Sequence, residues 1–328
     1  MAGNVLNGKI TYAVTGNVRP KGRYDIESPE LDAFVRDPNS PSTEPASLVR
    51  ALNKEQAFRV IPSGSDLTYA KRLFYQTGLD IDAIASGREE GSPLEMLTPS
   101  PWLEQVTSEK GGGSARRWVA DSVFGGVFAE FGLSNHGARS NARARPLHAL
   151  DPALAQELQT FDTMVCDDGG QEQADFIFKG EGPRRVVFVH AKVNDNLMSV
   201  SAMQIVGRQA MASLAFIARG ARLQDRSAWW SSPWSTDDHR QVPHRVLRSS
   251  NPNLPVIWGE IKRGIQSAQY AKEIWIFAGR TLSKKELVRQ LTRPAGPTPL
   301  SLQTAYYLGT LQTSAARANV AMRIFCSS

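Results

Sequence analysis

The chain has 328 residues, 41% hydrophobic and 21% charged, which supplies one large core or two modest ones and excludes wholesale disorder. Its two cysteines, Cys166 and Cys326, exclude a disulfide framework and a cysteine-rich zinc module. The formal charge of +6 comes mostly from arginine, which suits a phosphate-bearing partner as well as a solvated surface.

No stretch approaches the roughly 18 uninterrupted apolar residues of a membrane span. The opening MAGNVLNGKITYAV lacks the basic start and apolar centre of a secretory signal. The sequence therefore predicts a cytoplasmic protein with no membrane partner. It shows no internal repeat and leaves the oligomeric state open, a homo-oligomer included.

Residues 1–113 read as a β-rich N-terminal region of unassigned role. KITYAV (Lys9 to Val14) and FRVI (Phe58 to Ile61) alternate as strands, and Leu67 to Gln76 suits either a strand or a short helix. Asp37 to Pro45 is a proline-rich loop, and a loop-rich stretch from Gly91 to Gly113 ends in three glycines, where the sequence places a domain boundary. Ser114 is positioned to cap a helix running to Phe131, with Trp118, Val119, Val123, Val127, Phe128 and Phe131 at helical spacing. A basic loop carrying Arg139, Arg143 and Arg145 follows, then a short helix in ALDPALAQELQ.

Three strand-like runs occupy the centre: Phe161 to Asp168, Gln173 to Lys179 and Arg184 to Val193, joined by the turns GGQE and GEGP. A long apolar helix begins near Ser199. The segment Trp229 to Pro255 is aromatic, basic and proline-bearing, and reads as a loop or lid flanking an active site, with Trp229, Trp230 and Trp234 available for base stacking or for packing. A helix from Val256, a strand from Glu273 to Gly279, a helix capped by Ser283 with Glu286, a helix from Leu300 to Arg317 and a final strand, VAMRIFC, complete the pattern. From Ser114 onward this order predicts an α/β sandwich around a mixed sheet.

The chemistry concentrates between Cys166 and Val193. Asp175 interrupts one apolar strand, and His190 and Lys192, two apart and so on one face, interrupt the next. A charge buried in a sheet is costly unless it is paired or holds a metal. Carboxylates favour Mg²⁺ or Mn²⁺, and a neighbouring lysine is suited to orienting an attacking water. Glu172, Asp167 and Asp168 lie just upstream as further carboxylates, the last two also being natural turn formers before the glycine pair. Cys166 reads as a buried thiol, and His239 and His244 as a solvated loop pair or a second metal site. No Walker or Rossmann glycine motif is present, so ATP use is not expected.

Asp175 followed by His190-Ala191-Lys192 resembles the acid, then acid-x-Lys, pattern of the PD-(D/E)XK nuclease superfamily. The surrounding CDD-x-x-x-E-x-ADFI and HAK resemble bacterial nuclease domains found alone or beside helicases in genome-defence loci. The resemblance covers 50 to 100 residues well and extends weakly from Ser114 to the C-terminus. It implies a restriction-endonuclease-like mixed sheet over residues 114–328 and a metal-dependent DNA endonuclease in anti-phage defence, with a helicase or other defence subunit as partner. It also implies a site in which Asp175, Lys192, His190 and Gln209 (or Gln204) carry catalysis and Asp175, Glu172 and His190 hold Mg²⁺ or Mn²⁺. Arg116, Arg117, Arg139, Arg143, Arg145 and Arg208 would contact DNA, and Asp121 or Glu130 would be the acid of the first core helix. His190 departs from the family, which has Asp or Glu there. Either the imidazole is a ligand, suiting Mn²⁺ better, or Glu172 or Asp168 supplies the carboxylate and His190 is a core histidine, supports the ligands from behind or acts as a general base. A degenerate site in a nucleic-acid-binding module that recruits or gates a partner is the alternative.

Overall fold

The structure is a computed structural model that describes residues 4–6, 9–11, 15–18, 24–33, 47–56, 58–60, 67–70, 73–76, 80–89, 91–110, 122–131, 151–169, 172–194, 196–219, 223–235, 241–242 and 245–328. The chain forms two compact units, Met1–Thr77 and Gly78–Ser328.

In the first unit, strands Asn4–Leu6 and Lys9–Thr11 pair antiparallel, as do Thr15–Val18 and Tyr24–Glu27. Leu67 to Gln76 resolves as a hairpin of two strands, Leu67–Ala70 and Leu73–Gln76, with Arg59–Val60 beside the first. The helix Leu48–Glu55 is tied to Tyr24–Glu27 by Asn53, whose amide accepts from the Ile26 N–H and donates to the Ile26 carbonyl, both at 2.8 Å.

The second unit is α/β, with a seven-stranded mixed sheet flanked by helices. In chain order its main elements are β1 (Leu97–Pro99), α1 (Val123–Phe131), α2 (Pro152–Gln159), β2 (Thr163–Cys166), β3 (Phe176–Glu181), β4 (Arg184–Ala191), α3 (Val200–Arg219), β5 (Val246–Arg248), α4 (Leu254–Gln266), β6 (Ala271–Phe277), α5 (Lys284–Leu291), α6 (Pro299–Arg317) and β7 (Ala321–Cys326). The strands lie in the order β5-β2-β3-β4-β6-β7-β1. The half containing β5, β2, β3 and β4 is antiparallel, and β4, β6, β7 and β1 run parallel.

Both faces of the sheet are covered, which is why VVFV in β4 is continuously apolar rather than alternating. Val186 and Phe188 join Ile177, Ile274 and Ile324 in one core layer, packed by Val206, Ala210 and Leu214 of α3, Ile257 and Ile261 of α4, and Leu308 of α6. Val187 and Val189 face the other layer, where Phe124, Leu158, Phe176, Phe178, Trp275 and Phe325 meet. The Trp275 ring lies 5.2 Å from Phe325 and 5.7 Å from Phe161, a perpendicular contact in each case.

The sequence-based boundary near residue 113 is displaced. The stretch read as loop from Gly91 onward holds a 3₁₀ turn (Pro93–Met96), β1 and the helix Pro101–Gln105. Its strand pairs with β7, and Leu94, Leu97, Trp102 and Leu103 are buried, so this stretch belongs to the second unit. The described part of the segment after Trp229, read above as a loop or lid, is packed against the rest of the second unit. Trp230, Trp234 and Arg245 are buried, and β5 closes one edge of the sheet. Among the described residues no helix is long and apolar enough to cross a membrane.

Candidate metal centre

The β3–β4 hairpin aims two chain ends at one place. Residue 175 immediately precedes β3 and residue 192 immediately follows β4. The Asp175 N–H donates to the Val189 carbonyl at 2.9 Å, and the Ala191 N–H donates to Asp175 Oδ2 at 2.7 Å. The carboxylate is thus fastened between His190 and Lys192 on the neighbouring strand. It is 3% exposed.

The loop from β2 to β3 brings two more acids. Glu172 Oε2 accepts from the Gly169 N–H at 2.8 Å, folding the turn back on itself. Gly169 has φ +154°, and a Cβ there would lie 2.2 Å from the Trp229 indole, so the turn needs glycine. Asp168, Glu172 and Asp175 each present a carboxylate oxygen, and these oxygens lie within 4.8 Å of one another. Three oxygen donors at this spacing could hold a metal cation. A lysine ammonium already stands against them: Lys110 Nζ is 2.8 Å from Asp168 Oδ1.

Electrostatics agree with that crowding. Burial pushes the Asp175 carboxyl well above the usual carboxylate range, and the charges of Asp168 and Glu109 add to it, against Lys110 and the Ala191 N–H. Glu172 is also raised, first by burial and then by Asp168, against the Gly169 N–H and Lys110. Burial disfavours the Lys110 ammonium, yet Asp168 and Asp175 outweigh it and hold its pKa above the ordinary lysine value.

Of the residues singled out in the sequence, Asp175, Glu172 and Gln209 meet here, with Gln209 Nε2 3.5 Å from Glu172 Oε1. Gln204 is exposed. Lys192 ends beside the site, its Nζ 3.1 Å from Glu109 Oε2. Asp168, weighed above as a turn former, belongs to the acidic group.

His190 is not part of that group, and its expected place as a ligand is corrected. Its side chain points into the α3 layer, where Nε2 lies 2.9 Å from Ser213 Oγ. The Ser213 hydroxyl donates to the Gln173 carbonyl and also approaches the Gln209 carbonyl at 3.1 Å. Ser213 therefore accepts from the ring, so Nε2 carries the proton and Nδ1 is bare, buried and without a partner among the described residues. Burial lowers the imidazole pKa to about 4. Because the unfolded ring titrates near 6.5, His190 costs stability as pH falls from that value, levelling near the folded value. Its NMR resonances are expected to hold their neutral positions from pH 8 to 5; a midpoint near 6.5 would show a solvated ring.

Asp167 has a purely structural setting. Its Oδ1 accepts from Arg226 Nε at 2.8 Å and from Trp230 Nε1 at 2.7 Å, and Oδ2 accepts from the Gln173 N–H at 3.0 Å. Asp168 is held similarly: Oδ2 accepts from Trp234 Nε1 and its carbonyl accepts from Arg245 Nη1 at 2.7 Å. Two of the tryptophans are thus indole donors to this turn rather than base platforms. Trp229 is 37% exposed, with the Arg245 guanidinium 4.6 Å from its ring centre. Burial pushes the Cys166 thiol well up, as expected of a structural thiol.

Sequence reasoning missed Glu109, Lys110 and Ser213. The first two lie in the stretch read as linker, 83 and 58 residues from the partners they meet, so no local pattern announces them. Arg208 is exposed on α3. Arg116, Arg117, Arg139, Arg143, Arg145, Asp121, His239 and His244 lie outside the described residues, as does the side chain of Glu130.

No family model matches the chain, and neither a curated protein nor a solved structure matches it.

Proposed function

We propose that the chain is a metal-dependent endonuclease of the PD-(D/E)XK type that hydrolyses DNA phosphodiester bonds. The observation that carries this reading is the convergence of Asp168, Glu172 and Asp175 within 4.8 Å, with Lys192 at the end of the adjoining strand. When bound, Mg²⁺ or Mn²⁺ would supply Lewis-acid activation of the scissile phosphate. Asp175 and Glu172 would hold that ion, with Asp168 supplying the carboxylate that the sequence pattern expects at residue 190. Lys192 orients the attacking water and offsets charge on the phosphorane. Gln209 steadies Glu172. His190 stays neutral and holds α3 to β4. Arg208, together with Arg116, Arg117, Arg139, Arg143 and Arg145, contacts the DNA backbone. Anti-phage defence and a helicase partner follow from the sequence resemblance.

The test is cleavage of plasmid and single-stranded DNA with Mg²⁺, Mn²⁺ or EDTA, beside RNA of matched length. Divalent-dependent DNA cleavage is expected, falling on the order of a hundredfold or more in Lys192→Ala, the scale of losing one preorganised charge in an active site. A Lys192→Ala protein that cleaves as fast as the wild type would sink the assignment. DNA binding without cleavage under every metal would favour a recruiting module instead, a reading to which the imidazole at position 190 and the Glu109–Lys192 pair both lend weight.

A further inference from the structure

Asp168 has no idle carboxylate oxygen. Oδ2 is held by Trp234, whose ring is 2% exposed, and Oδ1 by Lys110 at 2.8 Å. The two holders differ in kind. The indole is fixed in the core against Phe124, ring centres 6.4 Å apart. The lysine is a flexible stem whose side chain is 28% exposed. Its ammonium rests 5.1 Å above the Phe124 ring and 3.4 Å from Glu109 Oε1. Glu109 in turn holds Lys192. Four carboxylates, on Glu109, Asp168, Glu172 and Asp175, thus face two ammonium groups and the Arg245 guanidinium at the Asp168 carbonyl, which still leaves an excess of negative charge when all are ionised.

We propose that Lys110 is a built-in counter-ion of the acidic centre, which a divalent cation must push off Asp168 in order to bind. This rests on the metal reading above. An ammonium and a divalent ion cannot share one carboxylate oxygen without strong repulsion at such range. Lys110 is the holder that gives way, because its stem has rotamer freedom and solvent beside it. Residues 109–110 thereby set how tightly the centre takes its metal. The metal-free form keeps its acids partly neutralised, which limits the repulsion that burial imposes on Asp175.

Calorimetric titration of Mn²⁺ into the full chain tests this, with Lys110→Met and Lys110→Arg beside the wild type. Methionine keeps the apolar contact with Phe124 and removes the competing charge; arginine keeps the charge. Mn²⁺ affinity is expected to rise about tenfold or more in Lys110→Met, a modest charge interaction for a site of this exposure, and to stay near wild type in Lys110→Arg. Without metal, the Tm of Lys110→Met is expected below wild type, because Asp168 loses its counter-ion; with saturating Mn²⁺ the order reverses. A merely structural lysine would not produce that reversal. An unchanged or weaker Mn²⁺ affinity in Lys110→Met would overturn the competition and leave the metal centre standing. No Mn²⁺ uptake by any of the three proteins would overturn both.

Discussion

Asp175→Asn is expected to be more stable than the wild type in EDTA and inert with every divalent cation. Asparagine keeps the size of the side chain and an oxygen to accept from the Ala191 N–H at 2.7 Å. It removes a charge that is buried beside Asp168 and Glu109. The folded-state pKa of Asp175 is raised above the unfolded value of about 3.9, so the carboxylate costs stability above its folded pKa. That cost shrinks as pH falls through the folded pKa and is gone below the unfolded one. The gain in Tm of Asp175→Asn over the wild type should therefore be largest at neutral and alkaline pH and should narrow on acidification. The rise in Tm expected of the wild type with Mn²⁺ should vanish in the variant. Cleavage should drop by more than the 10–100-fold typical of losing a partner behind the ligands. A variant less stable than the wild type in EDTA would mean that Asp175 is satisfied as a structural carboxylate. The tension between fold and site would then be absent. Proteins commonly accept instability at a site that must hold charge.

Arg226→Met should be among the most damaging single changes in the second unit, through a different mechanism. Asp167 is fully buried, and its charge is balanced by Arg226, which is itself 6% exposed. Burial raises the Asp167 carboxyl, and Arg226 is the main opposing influence. Removing one partner of a buried pair leaves the other charge uncompensated, at a cost of about 3–5 kcal/mol. For a unit of this size that corresponds to a Tm loss of roughly 6–20 °C. The double variant Asp167→Asn/Arg226→Met should recover part of the loss, since neither charge of the pair then stays buried, although the amide oxygen can accept from only one of Trp230 and the Gln173 N–H. The single variant should also regain stability as pH falls and Asp167 protonates. Thermal melts of the two proteins across pH would show whether the pair acts this way; a single variant that melts with the wild type would mean that Trp230 and the Gln173 N–H suffice to hold the carboxylate.

Much of the second unit is legible in the sequence where apolar runs are long and their interruptions few. The β2–β3–β4 succession, α3 and the strand–helix alternation toward the C-terminus are found within a few residues of expectation, with Ser283 capping α5 through the Glu286 N–H at 3.2 Å. Asp175 and Lys192 stand out because a charge inside an apolar strand demands a reason. What the sequence hides is set by pairing between distant segments. LTP, with three residues and a proline, carries no strand signature, yet it becomes β1 because β7 offers an open edge. VLR likewise becomes β5 beside β2. Glu109 and Lys110 resemble any polar loop until the fold lays them against Asp168. His190 misleads for a related reason. Strand alternation puts it on one face with Lys192 and so suggests a place at the site, but that face carries Val186 and Phe188 toward α3, where Ser213, 23 residues on, engages the ring away from the acids.

The position of β1 has a bearing on how the protein is made. Among the described strands its neighbour in the sheet is β7, more than 200 residues further along the chain. A ribosome adding about 5–20 residues per second needs on the order of ten seconds or more to deliver β7 after β1. Until then β1 has no edge to pair with, whereas the Glu109–Lys110 arm that follows it is tied to α1, where the Val123 and Phe124 N–H groups donate to the Ser108 and Glu109 carbonyls at 3.2 and 3.1 Å. The hairpin of β3 and β4, flanked by Asp175 and Lys192, is made earlier than β7, and its two strands pair with each other across a short turn. The sheet can therefore take in β1 only after β7 has been made, so this edge of the second unit closes late in synthesis although its own residues come early.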